Sequence, residues 1–278
     1  MRFVSYVGPA GPSFGILLHG GVVDLLARGF GDSLRDLLES GRLGEVEGVI
    51  GAAGPDLSLE DVILAPPIPN PHKILAVGAN YADHAAEMNR EVLGDPIFFS
   101  RFPQSVVGPG QPIRKPRVSD HLDYEGELAV VISRAGRHIS EAEAEAHIAG
   151  YTIFNDGTIR DYQQTSIVVG KNFEASGAMG PWMATPDELT FPLSLETRVN
   201  GERRQFATTD TMIFAIPRLI AYASSFITLL PGDVIATGTP AGVGMRRNPQ
   251  TWLAHGDRIE ILVSGLGALA NPIVNEAA

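Results

Sequence analysis

The sequence predicts a mainly β protein with some α-helix, in which a small α+β unit precedes a larger β domain. Short β-rich segments bounded by Gly, Pro and Asp recur without regular alternation with helices, which favours a mixed or antiparallel sheet over a doubly wound one. A proline-rich stretch, APPIPNPHK, separates the first part of the chain from the rest. The 278 residues, 44% of them hydrophobic, suffice for one large core with a small unit attached.

Residues 1–65 form the predicted N-terminal unit. A hairpin turn is predicted at His19-Gly20-Gly21, and three short apolar segments predict strands: Phe3–Tyr6, Phe14–Leu18 and Val22–Asp24. Ser33 begins SLRDLLES, in which three leucines share one face of a short amphipathic helix. Residues 66–72 contain four prolines, which exclude a helix or a central strand and predict an extended linker.

Residues 73–278 form the predicted large domain. Six segments predict its strands: Lys73–Val77, Leu128–Ile132, Ile148–Asn155, Leu195–Val199, Asp233–Thr237 and Arg258–Val263. Two helices interrupt them. The first begins at Ser140 in SEAEAEAH, which has the Ser-x-x-Glu pattern of a capping box. The second begins at Pro217, and its Leu219, Ala223 and Phe226 share one face.

Composition excludes several classes of protein. The net charge is -11 and no basic run stands out, which argues against a nucleic-acid or anionic-membrane partner. The absence of cysteine excludes disulfides, thiolate metal sites and a cysteine nucleophile. The longest apolar stretch contains Pro217, Arg218 and Pro231, which favours a buried helix and strand over a membrane span. The N-terminus lacks a secretory pattern, so we expect a cytoplasmic protein.

Three acidic residues carry the strongest functional signal. Glu125 and Glu127, in DYEGELAVVI, are two apart on a predicted strand and therefore point to the same face. Like charges on one face repel each other, and a divalent cation would remove that cost. Asp156 ends another apolar strand, and oxygen-only ligands suit Mg²⁺, Mn²⁺ or Ca²⁺. The alternative is a solvated acidic stripe, since Asp123 lies two residues before Glu125.

A second set of residues has the spacing of a general base. His84 and Glu87 lie three apart, on one face of a helical turn, where a carboxylate can orient the imidazole ring. The loop residues Gly78, Asn80 and Tyr81 precede them, an arrangement typical of a lid. The alternative is an incidental His–Glu pair on a surface helix.

A third set comprises Arg160, Gln163 and Lys171. Its two cationic side chains, Arg160 and Lys171, could bind an anionic substrate near the acids. The alternatives are an ion pair of Arg160 with Asp156 or Asp161 and an exposed turn at Lys171.

Residues 238–244, GTPAGVG, lack the Gly-Lys-Ser/Thr of a phosphate-binding loop, so nucleotide binding is unsupported. The backbone amides of this loop and Thr239 could still hold a carboxylate.

Together these segments resemble the fumarylacetoacetate hydrolase family, in its branch of acylpyruvate-type hydrolases and decarboxylases. The matching segments occur in the family's order: KILAVGANYADHAAEM, DYEGELAVVI, FNDGTIRDYQ, GKNFEASGAMGPW, TRVNGE and LLPGDVIATGTPAGVG. The resemblance implies a mixed β-roll for residues 73–278, a small N-terminal domain and a homodimer. It implies Mg²⁺ or Mn²⁺, with Ca²⁺ able to replace them in a crystal, on Glu125, Glu127 and Asp156.

The resemblance also implies roles for the other candidate residues. His84 and Glu87 would form a catalytic dyad on the lid, with Lys171 beside the metal. The predicted substrate contacts are Arg160, Gln163, Thr239, Tyr81 and Arg101, the last at a position where many relatives have lysine. The chain has NDGTIRD where the family commonly has Asn-Asp-(Val or Trp)-Ser-Ala-Arg-Asp, so Gly157 and Ile159 are expected to alter the pocket wall.

Three functional hypotheses follow. The favoured one is a metal-dependent hydrolase that cleaves a carbon–carbon bond in a β-diketo acid, such as an acylpyruvate or fumarylpyruvate, in small-molecule or aromatic catabolism. The second is decarboxylation of oxaloacetate, or isomerisation or hydration of a 2-hydroxymuconate-type product, at the same site. The third belongs to another class, a non-enzymatic β-protein with a structural Ca²⁺ ion.

Overall fold

The computed structural model describes residues 1–50, 54–88 and 94–277. The strands within these ranges are β1 (Arg2–Gly8), β2 (Gly11–Leu18), β3 (Gly21–Asp24), β4 (Leu57–Ser58), β5 (Ile63–Ala65), β6 (Ile74–Gly78), β7 (Ile97–Arg101), β8 (Val106–Val107), β9 (Ile113–Lys115), β10 (Leu122–Asp123), β11 (Gly126–Ile132), β12 (Ile148–Asn155), β13 (Thr158–Ile159), β14 (Gly177–Ala184), β15 (Ser194–Val199), β16 (Glu202–Thr208), β17 (Val234–Ala236), β18 (Arg258–Val263) and β19 (Gly267–Asn275). The α-helices are α1 (Leu34–Ser40), α2 (Val46–Ile50), α3 (Ala82–Glu87), α4 (Arg160–Gln163), α5 (Ile167–Lys171) and α6 (Ile216–Phe226). Short 3₁₀ segments are Leu43–Glu45, Leu59–Asp61, Pro103–Ser105, Glu141–His147, Pro186–Glu188, Thr209–Thr211 and Gly244–Arg246.

Two mixed sheets organise the molecule. The larger has 12 strands, along the path β4-β3-β2-β1-β14-β12-β11-β17-β6-β7, with β5 paired to β1 and β8 to β14. The smaller has five strands in the order β16-β15-β18-β19-β9, and β10 pairs with β13. Most pairs are antiparallel, whereas β17–β6, β14–β8 and β19–β9 are parallel. The mainly β, mixed-sheet class predicted from the sequence is therefore confirmed.

Strand β11 is buried on both faces because it lies between two apolar cores. Its Leu128 and Val130 contribute to a core shared with residues of the smaller sheet. Its Ala129 and Val131 contribute to a second core that includes the leucines of α1. Side chains alternate along a strand, so Glu127 continues the row of Ala129 and Val131. The fold thus places the carboxylate of Glu127 at the end of an apolar row.

Several local predictions can be compared with the structure. Helix α1 forms as predicted, and the Ser33 hydroxyl accepts a hydrogen bond from the Asp36 amide. The capping box at Ser140 is present, but the helix that it starts is a 3₁₀ segment that ends at His147, because strand β12 begins directly afterwards. Of the three residues predicted to share one face of α6, Leu219 and Ala223 are buried, whereas Phe226, the last residue of that helix, is 51% exposed.

The N-terminal strands continue the large sheet, since Phe3 of β1 pairs with Met183 of β14. Residues 66–72 contain no helix or strand. The domain boundary placed at residue 65 stays a prediction. Across the described parts of the chain, no helix is long and apolar enough to cross a membrane.

Candidate active site

The acidic cluster forms where two neighbouring antiparallel strands meet. Glu127 is the second residue of β11, Glu125 directly precedes that strand, and Asp156 directly follows β12. Gly126 pairs with Asn155, so the start of β11 lies beside the end of β12. One oxygen of each acid lies within 4.8 Å of the others, and all three side chains are buried. The structure therefore brings the three acids together in the interior, where a solvated stripe is excluded.

The glycine between the two glutamates allows the smaller sheet to approach. A Cβ atom on Gly126 would lie 2.1 Å from the Oγ1 atom of Thr197 on β15. The Gly126 amide donates to Gln205 Oε1 on β16 over 3.0 Å. The Glu-Gly-Glu spacing thus places both carboxylates on one face at the start of the strand. It also puts a glycine at the point where the two sheets contact each other.

Three cationic side chains partner two of the acids. Lys171 Nζ lies 2.5 Å from Glu125 Oε2 and 2.5 Å from Asp156 Oδ2. Arg160 Nη2 lies 2.7 Å from Glu125 Oε1, and Arg101 Nη1 donates to Asp156 Oδ1 over 2.8 Å. Burial disfavours the charged form of Glu125, yet Lys171 and Arg160 hold its pKa down at about 2. Lys171 is itself buried, so the alternative of an exposed turn at this residue is wrong.

Glu127 has no cationic partner among the side chains that the structure describes. Its Oε2 accepts a hydrogen bond from the Gly238 amide over 2.8 Å. Burial, followed by the charges of Asp156 and Glu125, raises the pKa of Glu127 well above its usual range. A buried carboxylate beside two others is costly unless a cation neutralises it. The cluster therefore fits a divalent cation, and its oxygen-only donors suit Mg²⁺, Mn²⁺ or Ca²⁺ better than zinc or copper.

The predicted His–Glu pair forms on α3. His84 Nδ1 lies 3.2 Å from Glu87 Oε2, and the Gly242 amide donates to Glu87 Oε1 over 3.0 Å. His84 is buried and lines the same cavity as Glu125 and Lys171, which excludes an incidental surface pair. If Nδ1 donates its proton to Glu87, the other ring nitrogen, Nε2, is the one that can take up a proton. Of the predicted lid, residues 89–93 lie outside the described residues.

The predicted substrate contacts fall into two groups. Arg160, Gln163 and Thr239 line the cavity, where the Arg160 guanidinium also donates to Gln163 Oε1 over 3.0 Å. Tyr81 is buried at the start of α3, and its hydroxyl has no hydrogen-bond partner in the described part of the chain. Arg101 is fully buried, and its guanidinium is occupied by Asp156 and other groups of the interior. The geometry of Arg101 is that of a side chain that holds Asp156 in place.

Gly157 and Ile159 lie away from the cavity lining among the described residues. A Cβ atom on Gly157 would lie 1.9 Å from the Ser176 carbonyl oxygen, so this glycine allows two backbone segments to approach closely. Ile159 belongs to the larger apolar core. The prediction that both residues alter the pocket wall is therefore wrong, because they lie in the packing around the acids and not among the described residues that line the cavity.

Sequence reasoning assigned Asp123 only to a possible acidic stripe. The structure buries it beside Arg160, whose Nε donates to Asp123 Oδ2 over 2.8 Å. The amides of Gly244 and Met245 also donate to this carboxylate, over 2.8 and 3.0 Å. Arg160 therefore pairs with Asp123 and Glu125, and the predicted alternative of a pair with Asp156 or Asp161 is wrong.

A glycine-rich loop of residues 238–245, which we call the amide loop, connects the buried carboxylates of the site. Its backbone N–H groups donate to three carboxylates from three different segments: Glu127 on β11, Glu87 on α3 and Asp123 on β10. Gly238 and Gly242 have φ values of 99° and 109°, which residues with a side chain rarely adopt. Through its backbone, this loop therefore contacts the acidic cluster, the His84–Glu87 pair and, by way of Asp123, Arg160.

Comparison with known proteins defines the class to which this fold and site belong. Residues 73–274 match the family described as fumarylacetoacetate (FAA) hydrolase C-terminal. Because this match covers most of the chain, the protein belongs to the fumarylacetoacetate hydrolase family, as its motifs indicated.

Individual relatives show which kinds of enzyme within the family are similar to this chain. A mitochondrial oxaloacetate tautomerase of Xenopus laevis is 39% identical over 99% of this chain and 90% of its own length. The oxaloacetate tautomerase YisK of Bacillus subtilis is 44% identical over 78% of this chain and 74% of its own. The crystal structure of maleylpyruvate hydrolase from Sphingobium sp. SYK-6, in complex with manganese(II) and pyruvate, superposes with a TM-score of 0.84 at 29% identity over the full length of both chains. The family is thus one of enzymes, and its members similar to this chain include tautomerases as well as hydrolases.

Proposed function

We propose that this protein is a Mg²⁺- or Mn²⁺-dependent enzyme that interconverts the keto and enol forms of oxaloacetate or a closely related 2-oxo acid. The observation that carries the proposal is the cavity that Lys171 and His84 share with Glu125, which belongs to the acidic cluster. This arrangement combines a cation and a base with a site that fits a divalent metal ion. The tautomerase names of the relatives at 39% and 44% identity support this reaction over the hydrolysis that the sequence favoured.

The charge of the site favours an anionic substrate. Four buried carboxylates face three buried cationic side chains: Asp123, Glu125, Glu127 and Asp156 against Arg101, Arg160 and Lys171. The Glu87 carboxylate beside His84 raises this excess to two negative charges, which a divalent cation would neutralise. The cation and Arg160 would then attract the carboxylates of a dicarboxylic acid, in a buried site where electrostatic attraction is strong.

The chain's own residues divide the chemistry between them. A bound divalent cation would supply positive charge to the oxygens of the 2-oxo acid. Arg160 and Gln163 bind the distal carboxylate, and the Lys171 ammonium stabilises the negative charge that develops on the C2 oxygen. His84 Nε2 removes a proton from C3, and Glu87 holds the ring and stabilises the imidazolium. Return of a proton to the C2 oxygen gives the enol, so the substrate's composition is unchanged.

Hydrolysis of a β-diketo acid is the second candidate, favoured by the fold shared with a maleylpyruvate hydrolase that holds manganese and pyruvate. Here the same His84 Nε2 would take a proton from water, which attacks the distal carbonyl. The carbon–carbon bond then breaks, its electron pair forms an enolate, and a proton returns to carbon. Lys171 would stabilise that enolate too, so the two reactions share most of the site.

Product analysis distinguishes the candidates. Purified protein with Mn²⁺ is incubated with oxaloacetate or with an acylpyruvate. Loss of the enol's ultraviolet absorbance, CO₂ release and the appearance of two organic fragments are followed separately. We expect rapid enol–keto interconversion of oxaloacetate with little CO₂. Cleavage of the acylpyruvate alone would overturn the tautomerase proposal in favour of hydrolysis.

Two variants test the assigned roles in the same assay. His84→Gln removes the base and should lower kcat by roughly 10²–10⁴-fold, whereas His72→Gln, at an exposed histidine that pairs with Glu39, should not. Glu127→Gln should weaken Mn²⁺ binding roughly 100-fold in calorimetry, because a neutral amide replaces a charged oxygen ligand. Full metal-dependent turnover by Glu127→Gln would contradict the metal assignment.

We also propose the predicted homodimer and cytoplasmic location for this protein. Exposed apolar side chains at Phe102, Val168 and Val169 offer a surface for a second copy. Light scattering of the purified protein would give a mass of twice 29.6 kDa for a dimer, and a monomer at micromolar concentration would contradict this proposal.

A further inference from the structure

We infer that Gln205 is a positioning residue that fixes Thr239 and the amide loop for substrate binding, an inference that rests on the proposed function. Gln205 lies on β16, in the hairpin that contains the TRVNGE segment, and its side chain is 2% exposed. This hairpin belongs to the smaller sheet and contributes no acid to the cluster. Gln205 is the point at which it reaches the site.

The direction of each hydrogen bond around Gln205 follows from its backbone partners. The Gly126 amide can only donate, so the atom 3.0 Å away must be the side-chain oxygen of Gln205. The Pro240 carbonyl can only accept, so the atom 2.8 Å from it must be the side-chain nitrogen. The orientation of the amide is therefore determined, and Nε2 must also donate to Thr239 Oγ1, 2.8 Å away.

The hydroxyl of Thr239 is oriented as a consequence. It accepts from Gln205, and it lies 2.9 Å from the Gly126 carbonyl oxygen, which can only accept. The hydroxyl proton must therefore point to Gly126. Thr239 lines the cavity, where its hydroxyl has one remaining lone pair to offer a ligand. Thr239 is thus held as a hydrogen-bond acceptor, which suits a ligand hydroxyl such as that of an enol and disfavours the oxygen of a carboxylate.

Gln205 also connects the acidic cluster to the amide loop. Through Gly126 it holds the backbone between Glu125 and Glu127, and through Thr239 and Pro240 it holds the amide loop. That loop in turn contacts Glu127 and Glu87. The side-chain amide of Gln205 therefore joins the start of strand β11, next to Glu127, to the amide loop, which contacts Glu87.

The test compares two substitutions of the same glutamine. Gln205→Met removes all three hydrogen bonds, whereas Gln205→Glu keeps an acceptor for the Gly126 amide and loses the donor to Thr239 and Pro240. Calorimetry measures the Kd of Mn²⁺ and then the Kd of malate for the Mn²⁺-loaded protein. Malate is a dicarboxylic acid whose C2 hydroxyl can donate to Thr239, as the hydroxyl of an enol would. We expect Gln205→Met to weaken the binding of both by roughly tenfold and Gln205→Glu to weaken the binding of malate alone by a similar factor.

Gln111→Met is the matched control, because Gln111 Nε2 donates to the Leu64 carbonyl over 2.8 Å, away from the site. It should lose thermal stability as Gln205→Met does, with both dissociation constants unchanged. A purely structural role for Gln205 would give that same pattern at both positions, and this result would overturn the inference. Should Gln205→Met fail to fold, Gln205→Glu carries the test alone.

A double-mutant cycle shows whether Gln205 acts through Thr239. In a Thr239→Val background, we expect Gln205→Glu to change the malate Kd by less than about threefold, since the hydroxyl that Gln205 orients is gone. Additive effects would overturn the inference. A wild-type protein that binds neither Mn²⁺ nor malate would instead overturn the proposed function, and with it this role.

Discussion

Gly126 shows how much of the site depends on a residue that performs no chemistry. It separates Glu125 from Glu127, and its amide and carbonyl contact Gln205 and Thr239. The Thr197 hydroxyl occupies the position next to the missing side chain and has no hydrogen-bond partner among the described residues. The position is thus constrained by packing against the smaller sheet.

Gly126→Ala is expected to destabilise the protein by about 1–3 kcal/mol, because the new methyl group would overlap Thr197 Oγ1. Urea unfolding measures the change. Adding Thr197→Ala should restore most of the loss, since it removes the atom that obstructs the methyl group. Gly44→Ala is the control, because no atom lies within 4 Å of the position of its Cβ. Equal unfolding free energies for wild type and Gly126→Ala would contradict this packing argument.

Helix α3 is short, and its position depends on contacts at both ends. At its start, Asn80 is completely buried and its side chain bonds to backbone groups of Phe214 and Thr237. At its end, the Met88 carbonyl accepts from Arg246 Nη2 over 3.1 Å. An arginine on a terminal carbonyl compensates for the missing helical partner. The dyad on α3 is therefore held by elements that follow it by more than 120 residues in the chain.

Arg246→Gln should accelerate amide hydrogen exchange in α3 by about two- to fivefold, because it removes the contact at the end of the helix. The melting temperature should change by less than about 2 °C, since Arg246 is exposed and remote from the core. Arg258→Gln, at an exposed arginine that pairs with Glu260 on the same strand, serves as the control. Unchanged exchange in α3 would show that Arg246 does not secure it.

At the scale of the whole molecule, the two sheets meet at the candidate active site. The larger sheet supplies the acids at the ends of β11 and β12, and the smaller sheet supplies Gln205. Repulsion within the buried acidic cluster opposes folding unless a cation is bound. Metal binding and global stability should therefore be linked.

Saturating Mn²⁺ is expected to raise the melting temperature by about 5–10 °C, because a ligand at 100 times its Kd contributes about 2.7 kcal/mol to stability. Differential scanning calorimetry with and without a chelator measures the shift. Glu127→Gln should abolish most of this shift, since a neutral amide replaces the carboxylate that binds the ion. A shift of the same size in wild type and Glu127→Gln would place the stabilising ion elsewhere.

The sequence predicted the parts of this site that depend on local geometry. The convergence of Glu125, Glu127 and Asp156 follows from side-chain alternation and from the ends of two adjacent strands. The His84–Glu87 contact follows from helical spacing. Gln205 could not be found in this way, because it lies 79 residues from Gly126 in the chain. Its position depends on how one sheet packs against another, which local patterns do not specify.

Local sequence patterns also led to two predictions that differ from the structure. Asp123 has the spacing of an exposed acidic row, but the buried Arg160 guanidinium and the amides of a distant loop make it an interior residue. For Asp123, long-range contacts override a local pattern. The segment after Ser140 has a helix-start signal, and the capping box forms, but the segment is a 3₁₀ helix that ends at His147, where strand β12 follows. The local signal therefore located the start of this helix and not its type.

The amide loop has a consequence for how this enzyme could acquire new substrates. Its contacts to Glu127, Glu87 and Asp123 come from backbone N–H groups, which every residue except proline possesses. Substitutions at Ala241 and Met245 would therefore leave the alignment of the acids intact. Changes that adapt the cavity to another substrate could thus accumulate while this loop keeps the catalytic framework in place.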